Sequence, residues 1–125
     1  MVKPLGFSID DKAIKRAGMD YWSSIDIIVY DSTEHFLQEH GNKRLIMATT
    51  KTNRLYSNFK YEEGDFIVFG PESRGLPAEL LKKHKDRNVT IPMKEHPLAR
   101  SLNLSNAVAV ITYEALRQID FKGIR

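Results

Sequence analysis

Four short apolar runs, all but the second followed by a segment of helical character, constrain this chain more than any other feature. They read I-D-I-I-V-Y over 25–30, R-L-I-M-A over 44–48, D-F-I-V-F over 65–69 and N-V-T-I-P over 88–92. β-Branched and aromatic residues dominate them, which favours strands. The run over 44–48 is almost uninterruptedly apolar, as expected of a strand covered on both faces, and the run over 65–69 reads as a third buried strand. Helical signals fill the gaps. Ser8 caps a predicted helix from Ile9 to about Ala17, stopped by Gly18. Asp31, with Glu34 three residues on, starts a second helix that runs to about His40 and ends at Gly41 and Asn42. Pro77 opens a third, to about His84, because the N–H that proline lacks has no partner in a first turn. Strands alternating with helices predict an α/β fold, a mainly parallel sheet with helices on both faces.

The segment R-S-L-N-L-S-N-A-V-A-V-I-T-Y-E over 100–114 carries the last helix. Leu104, Ala107, Val108, Ile111, Ala115 and Ile119 recur at spacings of three and four, predicting an amphipathic helix from about Leu104 to Ile119. Asn103 or Ser105 can cap it by accepting from a first-turn N–H. Arg100, Ser101, Asn103, Ser105 and Asn106 are more polar groups than one cap uses, which suggests a loop that grips something polar. In open α/β sheets ligands bind beyond the carboxyl ends of the strands. Three strand ends here are unusual: Ala48-Thr49-Thr50, the glycine-bounded G-P-E-S-R-G over 70–75, and Ile91-Pro92-Met93. In a parallel sheet they open on one edge, and residues 100–103 can close over them. Gly70 and Gly75 permit close approach or positive φ. Between them, Glu72 is placed to meet a cationic or hydroxyl-bearing ligand, or to pair with Arg74. The loop is neither a Walker motif nor a G-x-G-x-x-G fingerprint.

Composition narrows the remaining choices. The chain has 125 residues with no evident linker, which reads as one domain over 1–125, and 42% hydrophobic residues are enough for a core. No run of about 18 apolar residues is present, so no membrane span is predicted. The absence of cysteine excludes disulfides, thiol catalysis and thiolate metal sites. His35, His40, His84 and His96 are scattered among charged neighbours and read as surface residues, with no metal site. A net charge of +3 and a pI near 9.2 permit a nucleic-acid partner. Lys51, Arg54, Arg74, Lys94 and Arg100 lie on loops at the expected pocket edge and are the candidates for contacting RNA. The mixture of Lys51, Arg54, Lys60, Tyr56 and Tyr61 over 49–64 reads first as a solvated surface loop, with RNA contact by charge and stacking as the alternative.

F-G-P-E-S-R-G-L-P over 69–77, I-P-M over 91–93 and R-S-L-N-L-S-N-A-V-A-V-I-T-Y-E-A over 100–115 resemble, in this order, the SPOUT superfamily of RNA methyltransferases. Within it the resemblance is to the small TrmL-type tRNA 2′-O-ribose methyltransferases, which the segment P-L-G-F-S-I-D-D-K-A-I-K-R-A-G-M-D-Y-W over 4–22 also matches. The resemblance implies a deep C-terminal trefoil knot, an exception to unthreaded chains, and S-adenosylmethionine as cofactor, released as S-adenosylhomocysteine. It places Ala48, Thr49, Gly70, Glu72, Gly75, Ile91, Pro92, Met93, Ser101 and Leu102 at the cofactor, and Glu72, Ser101 and Asn103 at the reacting groups. It implies the anticodon stem-loop of tRNA as substrate, a homodimer in the cytoplasm, and no metal. The family begins with a strand and an N-T-G-N-x-x-R segment whose arginine assists deprotonation. The present sequence starts just after that point, so the expectation is an amino-terminally short domain with its cofactor loops complete. A domain of the same fold that binds RNA or cofactor without turnover is the alternative. A knotless flavodoxin-like domain shares the α/β pattern but leaves S-L-N-L-S-N unexplained.

Overall fold

A computed structural model of the chain describes residues 1–5, 26–95 and 102–124. The helix predicted over 9–17 lies outside the described residues, as do His96, Arg100 and Ser101. Residues 1–42 and 43–125 form two compact units.

In the first unit Val2 and Tyr30 form a single parallel bridge, with Lys3 N donating to Tyr30 O at 2.9 Å and Tyr30 N to Met1 O at 2.8 Å. The strand expected over 25–30 is therefore corrected: residues 26–29 join no ladder, and Ile28 is 62% exposed. An apolar run becomes a strand only where a neighbour takes its backbone groups, and among the described residues only 1–3 lie alongside. Helix α1, Thr33–His40, is capped by Ser32 and not by Asp31; Ser32 Oγ accepts from His35 N at 3.1 Å. Ser32 is the extended residue that immediately precedes the helix, whereas Asp31 stands one residue too early and sits 3.6 Å from Lys3 Nζ. Tyr30 is buried against Phe36 and His40, and its hydroxyl is hydrogen-bonded to His40 Nε2 at 2.8 Å.

The second unit contains a parallel sheet of three strands among the described residues: β1 Leu45–Ala48, β2 Phe66–Phe69 and β3 Asn88–Val89, in the order β2-β1-β3. Leu45 lies opposite Phe66 and Ala48 opposite Phe69, while Met47 and Ala48 face Asn88 and Val89. Leu45, Ile46 and Met47 are fully buried, so the run covered on both faces is the central strand, as its composition required. β2 was expected to be buried and is only half-buried throughout; among the described residues no strand pairs with its outer side. β3 is shorter than the predicted 88–92. Thr90 leaves the sheet to bridge Leu55: Thr90 N donates to Arg54 O and Tyr56 N to Thr90 O, both at 2.8 Å. Helix α2, Ala78–Lys83, begins one residue after Pro77 and is followed by a 3-10 turn, Lys85–Arg87.

Helix α3, Leu104–Gln118, buries Ile111 and half-buries Leu104, Ala107 and Ala115, while Val108, on the flank of that stripe, is 38% exposed. Ile111 packs with Ile46, Tyr61 and Val89 as the core of this unit; each such aliphatic side chain contributes roughly 1.5–3 kcal/mol by leaving water. Tyr61, expected on a solvated loop, is 4% exposed, and its hydroxyl donates to Tyr56 O at 2.9 Å. Burial raises its phenol well above the ordinary range. Gln118 explains why the segment is buried. Its Oε1 accepts from Tyr61 N and its Nε2 donates to Phe59 O, both at 2.9 Å, so the helix end draws residues 59–61 into the core.

His84 is likewise buried and not a surface residue, because it closes α2 against the sheet; Arg87 Nη2 contacts its Nδ1 at 3.3 Å. Burial first, then the neighbouring Arg87 and Lys83 charges, lower its pKa. The folded state therefore binds fewer protons than the unfolded state just below the ordinary histidine range near ~6.5, and this contribution is complete above that pH and lost as pH falls through the lowered value. Urea titrations should show the chain less stable at pH 5.5 than at pH 7.5, and His84→Phe should flatten that dependence. Equal pH dependence in both proteins would remove His84 from the account.

Candidate functional site

Because the strands are parallel, Ala48, Phe69 and Val89 end on one edge of the sheet, and a cavity of about 310 Å³ opens there. Of the residues predicted to hold a ligand, Ala48, Thr49, Gly70, Glu72, Gly75, Ile91, Met93 and Leu102 line it. Pro92 is exposed beside the lining Met93, and Asn103 stands between the lining Leu102 and Leu104. Ser101 falls outside the described residues. Val89, Ala107 and Ile111 supply apolar wall that the sequence pattern did not assign to a site. The spacing of Ala107 and Ile111 signals a buried helix face, and nothing in it distinguishes a face turned to core from one that also meets a ligand.

The loop over 70–75 closes on itself. Gly75 N donates to Pro71 O at 2.9 Å, and Gly75 has φ +70°, a conformation that disfavours any Cβ. A Cβ on Gly70 would sit 2.3 Å from Gly75 C and 2.5 Å from Leu76 N, so only glycine lets the two ends meet. Glu72 turns away from Arg74: its Oε1 accepts from Leu104 N at 3.1 Å, at the first turn of α3, where the helix dipole favours a carboxylate. Asn103 caps the same turn, its Oδ1 accepting from Ser105 N at 2.9 Å and from Ser105 Oγ at 2.6 Å. Two side chains, one from each loop, thus satisfy a single helix start. Glu72→Gln keeps an acceptor oxygen and should retain most of the stability, whereas Glu72→Ala should lose about 1 kcal/mol in urea denaturation. An unchanged midpoint in the alanine variant would rule out this link.

The basic candidates divide. Lys51 and Arg74 are exposed on the cavity rim, Lys94 is exposed just beyond it, and Arg100 lies outside the described residues. Arg54 is differently placed: its Nη1 donates to the carbonyl oxygens of Lys85, Asp86 and Asn88. It holds the turn before β3, and the loop after β1 with it. Thr49 also shapes that loop, its N donating to Val89 O at 2.9 Å and its Oγ1 accepting from Lys51 N at 3.1 Å. Among the described residues no group of three His, Asp or Glu side chains could hold a metal ion, and no helix is long and apolar enough to cross a membrane.

A cavity with an apolar floor, at the carboxyl edge of a parallel sheet and bounded by a glycine turn and a doubly capped helix, defines an α/β ligand-binding protein. The chain belongs to the SpoU rRNA methylase family, whose model matches residues 1–113. It is 45% identical over 124 residues to the tRNA (cytidine(34)-2′-O)-methyltransferase of Methylovorus glucosotrophus, spanning 98% of this chain and 79% of that one. A solved structure concerned with the 2-OH methylation of C/U34 on tRNA superimposes with a TM-score of 0.84 at 38% identity, over 97% of this chain and 78% of that one. The AdoMet-bound rRNA methyltransferase from Sinorhizobium meliloti shares the fold, with a TM-score of 0.70 at 24% identity, over 94% of this chain and 44% of that one.

Proposed function

We propose that this chain transfers a methyl group from S-adenosylmethionine to the ribose 2′-hydroxyl of the wobble nucleotide of tRNA. The observation that carries the reading is the meeting of Ala48 and Thr49, the 70–75 loop, Ile91 and Met93, and the start of α3 at one cavity. The names of the relative and of the solved structure described above support the substrate. The family match, running from residue 1 to residue 113, supports a single methyltransferase domain.

The cavity fits the cofactor in size and chemistry. Its volume of about 310 Å³ falls at the small end of ligand sites, roughly 300–1,000 Å³. Ala48, Thr49, Gly70, Gly75, Ile91, Pro92, Met93, Ser101 and Leu102 are the residues that hold the cofactor in this reading. When bound, it supplies an electrophilic methyl group on a sulfonium. Transfer requires the ribose oxygen to be held in line and its proton removed. Asn103 is suited to holding the ribose, because its Oδ1 is used in capping and, among the described residues, its amide NH₂ is left to donate. Ser101 adds a hydroxyl beside it. Glu72 is the one carboxylate among the described residues lining the cavity, and it both anchors the glycine loop to α3 and offers an oxygen toward proton removal. Lys51, Arg74, Lys94 and Arg100 contact the phosphates of the anticodon stem-loop, while Arg54 acts mainly by holding the wall of the site.

The same reading includes the deep C-terminal trefoil knot, a homodimer and a cytoplasmic location. The exposed Val108 and Tyr113 on α3, 38% and 60% accessible, supply apolar surface that a second copy would cover. The test is transfer of labelled methyl from S-adenosylmethionine to tRNA, with the product mapped by alkaline hydrolysis. Protection of the bond after position 34 is expected. Label confined to other positions, or to a base, would refute the assignment.

A further inference from the structure

We propose that the amino-terminal edge of the parallel sheet, opposite the methyl-transfer cavity, is a second RNA contact that takes phosphodiester groups of the same tRNA. The inference rests on the tRNA reading above. Just before the strands, Arg44, the 59–62 segment and the 83–87 segment enclose a cleft. Its charged lining is Arg44, Lys60, Lys83 and Arg87 against Glu62 and Asp86. Two of these six are already spent. Arg44 donates to both oxygens of Asp65, at 2.7 and 3.3 Å, and Glu62 lies 3.5 Å from the Arg44 Nε. The Asp65 side chain is only 5% exposed, so this ion pair belongs to the fold.

What remains is Lys60, Lys83 and Arg87 against Asp86, with Lys85 in the same turn. Among the described residues Lys60, Lys83 and Lys85 have no carboxylate within ion-pair distance, and all three are exposed. Like charges gathered without partners repel one another, and a polyanion relieves that repulsion. Arg87 is steadied by its contact with His84 Nδ1, and the buried His84, whose Nε2 has no hydrogen-bond partner among the described residues, lines the same cleft. Flexible lysines suit phosphate positioning and carry no base readout. The distance is within reach. A four-residue strand spans roughly 13 Å, and successive base pairs of an A-form stem advance by roughly 3 Å along its axis, so a stem of about five base pairs leaving the cavity can arrive at this edge.

The test is tRNA binding by the full chain and by its K60Q/K83Q/K85Q variant across a salt series, with S-adenosylmethionine affinity and kcat at saturating tRNA measured alongside. The variant should bind tRNA about tenfold more weakly at low salt, with a salt slope reduced by about 2. Its cofactor affinity and kcat should match the parent's. Parental affinity and slope in the variant would overturn this inference and leave the methyltransferase reading standing. A fall in kcat with the slope unchanged would also overturn it, because that pattern marks a structural role. If the parent neither binds nor methylates tRNA, both fall together.

Discussion

Replacing Asn103 by alanine lowers methyl transfer about 10²–10³-fold and leaves a folded protein. The rate loss follows from removing one positioned donor at the reacting ribose, the scale seen when a single such donor is deleted. Stability falls by less than the activity does, because the cap that Asn103 Oδ1 gives to Ser105 N is a loss of about 1 kcal/mol, and Glu72 still satisfies Leu104 N. Asn103→Ser separates the two roles. A serine oxygen restores the cap but lacks the amide donor, so the variant should regain the urea midpoint without regaining the rate. Full activity in Asn103→Ala would end the proposed role.

Gly70→Ala should weaken S-adenosylmethionine binding at least ~100-fold, a loss of about 2.7 kcal/mol. The added Cβ would meet Gly75 C at 2.3 Å and Leu76 N at 2.5 Å, and both are backbone atoms that cannot swing aside. The 70–75 turn must then open, which displaces Glu72 from the start of α3 and moves the cavity wall. Gly75→Ala is the matched control. Nothing lies within 4 Å of its added Cβ, so the only cost is the left-handed backbone at φ +70°, about 1–2 kcal/mol of stability. Calorimetric titration compares them directly. Equal affinity in Gly70→Ala and the parent would mean that the turn does not shape the cofactor wall.

The central strand was legible in the sequence because 45–47 is apolar at every position, a pattern that only burial on both faces explains. The edges of the sheet were not. D-F-I-V-F and N-V-T-I-P read as well as L-I-M-A does, yet which run lies in the middle depends on pairing order, and that is a property of the assembled chain. The run over 25–30 shows the same limit, since a strand needs a neighbour that composition cannot reveal. Site loops were easier to find. Gly70, Gly75 and Pro92 mark breaks at strand ends, and the polar residues before α3 mark its cap. Side chains that reach across the fold left no local trace. Arg54 meets carbonyls more than thirty residues away, and Tyr61 is fixed by Gln118, separated from it by 57 residues. Each looked like loop surface because its partner is distant in sequence.

The most direct measurement of the central claim is a calorimetric titration of the chain with S-adenosylmethionine, repeated with S-adenosylhomocysteine and with Gly70→Ala. Saturable binding of both ligands at one site per chain, lost in Gly70→Ala, is the predicted result. No saturable heat from either ligand, in a chain that unfolds cooperatively in urea, would contradict the assignment of the cavity to the cofactor.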